Sequence, residues 1–233
     1  MIYYFTMPNK FRKNILFVGI ASFFGGMSQD MFVPVLPLYL ANVLGMPKEL
    51  IGLTEGIVTA GASVFKIVAG RLADRWRAQT NLVLLGYVLS LIARPLLIVV
   101  HSFGGIFFAR LLDGIGKGVK DSPKSALLAN STDAATRGKY FGIHRALDTL
   151  GSVAGPLILF GALSLWRTSA HQYQNIFLLT AVPLFVTLII LAVFVKDPPM
   201  PETKSAGAKN LPRHRFKNYR RGNRPRFGKN ERV

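Results

Sequence analysis

The side chains of this 233-residue chain that could do chemistry are ionisable groups set at helical spacing inside apolar stretches. Arg110, Asp113 and Lys117 stand at i, i+3 and i+7, so a helix places all three on one stripe. Glu55 and Lys66, at about 100° per residue, return to nearly the same face roughly three turns apart. His144 and Asp148 are separated by one helical turn, with Arg145 beside them. Asp30 follows Gly25, Gly26, Ser28 and Gln29, and Arg94 precedes Pro95. At membrane depth such groups cost several kcal/mol, so each needs a partner or a purpose. Pairing within or between helices would only fix packing. Facing one another across a hydrated cavity, the same groups bind charged solutes and pass protons. Asp30 is then a proton or cation site. Arg94, near the end of an apolar stretch, either snorkels or fixes packing, and His144 is either pH-responsive or a hydrogen-bonded bystander.

Bond-making chemistry is not expected. The chain has no Cys, which excludes disulfide scaffolds, zinc fingers, iron–sulfur clusters and thiol catalysis. Its four His residues are scattered, so neither a metal site nor a cofactor is expected. No nucleophile–base pair or phosphate loop appears, and the Gly114–Gly118 run lacks the strand–loop–helix setting of a nucleotide site. The chain does not read as an enzyme.

The elements that must position these residues are membrane spans. Half of the residues are hydrophobic and 17% are charged, with a mean hydropathy of +0.33, too apolar for a soluble domain. A span needs about 20 mainly apolar residues. Six stretches qualify: 14–40, 51–69, 82–100, 105–129, 140–165 and 175–195. The third and sixth are the cleanest, and charges interrupt the fourth and fifth. The first is not a cleaved signal, because it is too long for an h-region and contains Asp30, Pro34 and Pro37.

Lys plus Arg number 29 against 11 Asp plus Glu, a net charge of +18, and placement explains most of it. Lys10, Arg12, Lys13, Arg71, Arg75, Arg77, Lys120, Lys124, Arg137, Lys139 and the tail fall on one side of the six spans, Lys48 and Arg167 on the other. The positive-inside rule then puts both termini in the cytoplasm. The chain divides into a cytoplasmic N-terminus (1–13), a six-span domain (14–196) and a basic, disordered tail (197–233). The tail is a solvated topology signal, a ligand for anionic headgroups at about 1 kcal/mol per basic residue, or an RNA-binding segment through Arg interleaved with Phe216, Tyr219 and Phe227. Because the charge follows topology, nucleic acid is not expected as a partner.

Small residues add a second pattern. Gly151 and Gly155 with Pro156 form a small-xxx-small motif that lets helix backbones approach, with a bend permitted at the proline. Gly114, Gly116 and Gly118 make a smooth strip on the fourth span.

Three motifs in order carry a family resemblance over about residues 14–196. Gly70-Arg-Leu-Ala-Asp74-Arg75, expected at a short basic loop, resembles the signature between the second and third helices of the major facilitator superfamily. Ile106-xxx-Arg110-xx-Asp113-Gly114-Ile-Gly116 resembles its fourth-helix motif, and Gly151-xxx-Gly155-Pro156 the fifth-helix motif of its antiporters. Arg77, Ala78 and Gln79 depart from the first motif, and Leu159 replaces the next glycine of the third. The resemblance implies an all-α integral membrane fold, a six-helix half built of two inverted three-helix repeats. Spans 1, 2, 4 and 5 would line its cavity, and Gly70, Asp74 and Arg75 would form a cytoplasmic gate in which Asp74 faces a helix N-terminus or an Arg. It also implies a proton-linked secondary transporter of a small molecule in the bacterial plasma membrane, with efflux favoured. Such a half rocks against a second six-helix half, either another copy or a separate chain. Two alternatives are an inactive truncated half and a membrane-anchored protein whose basic tail binds lipid or RNA.

Overall fold

The computed structural model describes residues 9–76, 78–132, 135–165 and 171–197, with side chains from Asn14 onward. Arg77, Arg167, the tail from residue 198 and the side chains of Lys10, Arg12 and Lys13 lie outside the described residues. Six helices follow one another: α1 (Asn9–Asn42), α2 (Lys48–Trp76), α3 (Gln79–Val99), α4 (Phe103–Asn130), α5 (Arg137–Leu165) and α6 (Gln172–Phe194). Each contains one of the six apolar stretches almost whole, and most run past its ends. Hydropathy marks where lipid begins, whereas a helix continues until its backbone finds other partners.

Among the described residues, five helices are long and apolar enough to cross a membrane. The exception is α4, 28 residues long, whose hydropathy is interrupted by Arg110, Asp113, Lys117, Lys120, Asp121 and Lys124. Internal prolines (Pro34, Pro37, Pro95, Pro123, Pro156 and Pro183) do not end their helices, as is common where neighbouring spans support the backbone.

Two differences from the sequence reading concern helix ends. Gly70, Asp74 and Arg75 lie on the last two turns of α2 rather than in a loop, leaving only residues 77 and 78 before α3. No proline or second glycine follows Gly70, and Leu72 and Ala73 favour helix. Lys120 and Lys124, counted above on the basic side of the spans, are inside α4, with Lys120 buried.

The helix pairing explains the repeat. α1 packs chiefly on α5 and α6, α4 on α2 and α3, and α3 meets α6. Exchanging the first three helices for the last three maps this pattern onto itself. Three crossings per repeat also start the second repeat from the opposite face, which inverts it. Two larger apolar clusters fill the seams, beside a small third of Ala69, Ala73, Leu82 and Val119. One gathers Phe32, Leu36, Tyr39, Leu97 and Phe177, the other Val18, Val83, Tyr87, Leu184 and Leu191. Polar ties close the end where α1 and α3 begin: Asn14 Nδ2 donates to the Lys196 carbonyl at 2.6 Å. Asp197 Oδ1 accepts from the Thr80 backbone N at 2.7 Å and from its hydroxyl at 2.8 Å, capping α3 from just past the end of α6. α2 and α5 are the most exposed of the five apolar helices.

Candidate functional site

The site is organised by one face of α4. Arg110 points toward α2 and donates through Nε and Nη2 to both carboxylate oxygens of Glu55, at 2.9 and 2.6 Å. Its Nη1 donates to Asp113 Oδ2, one turn along its own helix, at 2.8 Å. Only the planar guanidinium fork makes these contacts together. Arg110 and Asp113 are buried, while Glu55 is one-third exposed at the cavity wall. Arg94 sits alongside, fully buried on α3, with its guanidinium 3.9 Å from the centre of the Phe32 ring. Arg110 lies above the same ring at 5.3 Å.

Arg94 does not snorkel. It occupies the inward face that also carries Ser90, Ala93 and Leu97, and donates weakly to the Ser28 carbonyl and to Gln29 Oε1, both at 3.4 Å. Among the described residues Arg94 Nε is buried without a hydrogen-bond partner, and the buried Ser90 hydroxyl faces the Asp113 carboxylate. Polar capacity therefore remains beside the ion cluster.

Toward the C-terminal end of α4 the bundle opens. A cavity of about 350 Å³ is bounded by Glu55, Lys66, Arg110, Asp113 and Lys117. It adjoins a second of about 430 Å³, bounded among others by Asp30, Lys120, Lys124, His144, Arg145 and Asp148. Gln29, Lys66, Lys117 and Asp121 line both. Nine of the ten ionisable residues singled out in the apolar stretches, all but Arg94, thus surround two adjoining spaces, reached from α1, α2, α4 and α5. Lys66 lies 3.9 Å from Asp121, and Arg145 pairs with Asp148 at 3.3 Å. His144 does not pair with Asp148. Its Nε2 is 2.8 Å from Ser22 Oγ on α1, so that ring turns to the neighbouring helix rather than along its own. Asp30 makes no ion pair among the described residues.

The glycines set how close these walls come. A Cβ on Gly155 would lie 2.5 Å from the Met27 carbonyl, and one on Gly151 would strike that of Phe23. On α4, Gly114 and Gly118 admit Val58 and Ala62 of α2. Pro156 is exposed, and α5 runs through it. In the gate motif, Gly70 lies against Ser122 of α4. Asp74 and Arg75 are exposed and make no ion pair among the described residues, so the expected contact of Asp74 with an Arg is not formed there.

Phe32, Asp121, Lys120 and Lys124 belong to this site and were not singled out as site residues. The signal for the two lysines was present: they extend the Lys117 stripe at i+3 and i+7. Phe32 reads as one apolar residue among many until two guanidinium groups are seen above it. Buried, paired charges beside a polar cavity can bind a charged solute or exchange protons with it. Among the described residues, no three His, Asp or Glu side chains are grouped to hold a metal ion.

Comparison with known proteins agrees with this architecture. A bacterial homologue of the human lysosomal transporter Spinster, crystallised inward-facing and unoccupied, superposes with a TM-score of 0.66 at 14% identity, over 83% of this chain and 44% of that one. The uncharacterized MFS-type transporter MJ1317 of Methanocaldococcus jannaschii is 35% identical over 205 residues, 86% of this chain and 50% of that protein. The multi-drug resistance efflux pump PmrA of Streptococcus pneumoniae is 24% identical over 203 residues, 83% of this chain and 47% of the pump. The chain thus spans about half the length of these relatives. The profile of the Major Facilitator Superfamily matches residues 18–227, and this membrane chain belongs to that superfamily of transporters.

Proposed function

We propose that the chain is the six-helix half of a proton-coupled secondary transporter that exports a small molecule. The observation that carries this reading is Arg110, held between Glu55 and Asp113 beside a cavity reached from four helices. A cation balanced by two carboxylates can release one of them when a proton or substrate arrives, and the freed carboxylate then takes the proton. Asp30, unpaired in the adjoining cavity, is the separate candidate for proton binding. Export is favoured by the relation to the efflux pump PmrA. The asymmetry of basic residues supports both termini in the cytoplasm, and the family resemblance supports the bacterial plasma membrane.

A second six-helix half completes the proposal. It would cover the exposed apolar faces of α2 and α5 and give this half something to rock against. Asp74 and Arg75, unpaired among the described residues, would meet its helix ends in one state and leave them in the other. In mild detergent, a lipid-corrected protein mass near twice the 25.7 kDa chain would identify a second copy as that half. In proteoliposomes, Asp30→Asn with Arg110→Ala should abolish substrate-driven proton movement while membrane insertion stays normal. Unchanged proton movement in that variant would refute the coupling. Deleting residues 202–233 should leave transport intact, and loss of function on that deletion would favour a tail-dependent role.

A further inference from the structure

The larger cavity carries more positive charge than its own walls neutralise. Of its acidic residues, Asp121 is engaged with Lys66 and Asp148 with Arg145. That leaves Asp30 against Lys117, Lys120 and Lys124, none of which makes an ion pair among the described residues. The three lysines follow at i, i+3 and i+7, within about 60° of one another around α4. The first and last are separated by about 10 Å along the axis. Lys120 is buried with its ammonium 4.9 Å from the centre of the Tyr87 ring, a contact that favours the cation without cancelling its charge. Three like charges on one helix face inside an apolar bundle repel one another and are costly to desolvate. The adjoining cavity shows the contrast: there Arg110 is matched by Glu55 and Asp113.

From this surplus we infer that the Lys117–Lys120–Lys124 stripe binds the substrate, and that the substrate is a soluble small molecule bearing two or more carboxylate or phosphate groups spread over about 10 Å. The inference rests on the transporter reading and names the substrate class of the same site. Its lysines supply point charges and several donors each, which suits anionic oxygens presented at varied angles. The cavity volume of about 430 Å³ falls in the range of small-molecule sites. An anionic lipid headgroup shares the chemistry, but the stripe lines a half-open cavity walled by residues of α1 to α5, with Lys120 buried in it, rather than an outer face of the bundle.

The test uses the full chain in phosphatidylcholine nanodiscs, with carboxyfluorescein as a polyanionic probe and ethidium as a cationic one, both followed by fluorescence anisotropy. Carboxyfluorescein should bind saturably and be displaced by citrate. Lys117→Gln with Lys124→Gln should weaken it by roughly tenfold or more, while Lys48→Gln, at the remote start of α2, should leave it unchanged. Equal affinity in wild type and the double variant would overturn the inference, because binding through the basic tail would survive those changes. So would lysine-independent binding of ethidium alone. If the double variant does not insert, Lys117→Arg should keep the affinity that Lys117→Gln loses, and equal affinity in both overturns the inference. Replacing part of the lipid with phosphatidylglycerol should leave the lysine-dependent binding in place, whereas its loss would make the stripe a headgroup site. Lysine-dependent binding without carrier activity in proteoliposomes would sink the transporter reading and keep the anion site. Carrier-mediated flux of a cation without anion binding would do the reverse.

Discussion

Within about four turns, α4 presents its positive charge in two ways. At Arg110 the guanidinium is fixed by three hydrogen bonds of 2.6–2.9 Å to Glu55 and Asp113. Further along, Lys117, Lys120 and Lys124 face a wider space and make no ion pair among the described residues. Helix spacing accounts for part of the difference. Gly114 brings α2 close enough for Glu55 to reach Arg110. Side-chain chemistry accounts for more: a rigid fork can be saturated by two carboxylates, whereas a flexible ammonium keeps donors free. The first region therefore behaves as structure that can switch, and the second as a surface awaiting a counter-charge.

The sharpest way to break this comparison is to remove charge from the paired region. Arg110→Met leaves Asp113 buried and both carboxylates without their cation, so the bundle should lose about 3–5 kcal/mol. Reversible unfolding in mixed micelles measures the loss. Adding Asp113→Asn to Arg110→Met should recover part of it, because the buried carboxylate is then no longer stranded, and the recovery stays partial because buried Arg94 loses the Asp113 charge. Equal stability of Arg110→Met and wild type would mean that the cluster is not closed in the folded protein.

Helix spacing is tested next. Gly155→Leu places a side chain against the Met27 carbonyl, where even a Cβ would come within 2.5 Å. α1 and α5 must then separate, at an expected cost of about 1–3 kcal/mol. The same substitution at Gly161, which has open space around it, should cost much less. If both positions tolerate leucine equally, close approach of α1 and α5 does not hold the cavity wall.

How far these regions could be read in the sequence depended on what kind of information they needed. The spans were legible because length and apolarity report directly on the bilayer, and α4 was the hardest for the reason that makes it functional. Stripes on a single helix were legible too, since periodicity places Arg110, Asp113 and Lys117 together. Partners across helices were not: nothing local says that Glu55 meets Arg110 or that His144 turns to Ser22 instead of Asp148. For Arg94 two readings stayed open, because its place along the helix allowed an escape to the interface, while the face it shares with Ser90, Ala93 and Leu97 points inward. Lys120 and Lys124 were counted with the basic side of the spans by charge alone, whereas they stand inside α4, which continues to Asn130, and Lys120 is buried.

The smallest expected effect sharpens the comparison from the other side. Lys117 is exposed to the cavity and makes no ion pair among the described residues. Lys117→Gln should therefore change stability by no more than about 0.5 kcal/mol. Its sign should be favourable, because removing one of three like charges on a face relieves repulsion from Lys120 and Lys124. High salt should diminish that gain by screening the same repulsion, whereas the cost of Arg110→Met, arising in a buried cluster, should barely respond. The two salt dependences together separate a saturated ion cluster from an unsaturated one. A clear loss of stability in Lys117→Gln would mean that the lysine already has a counter-ion in the folded protein, and the contrast between the two turns of α4 would disappear.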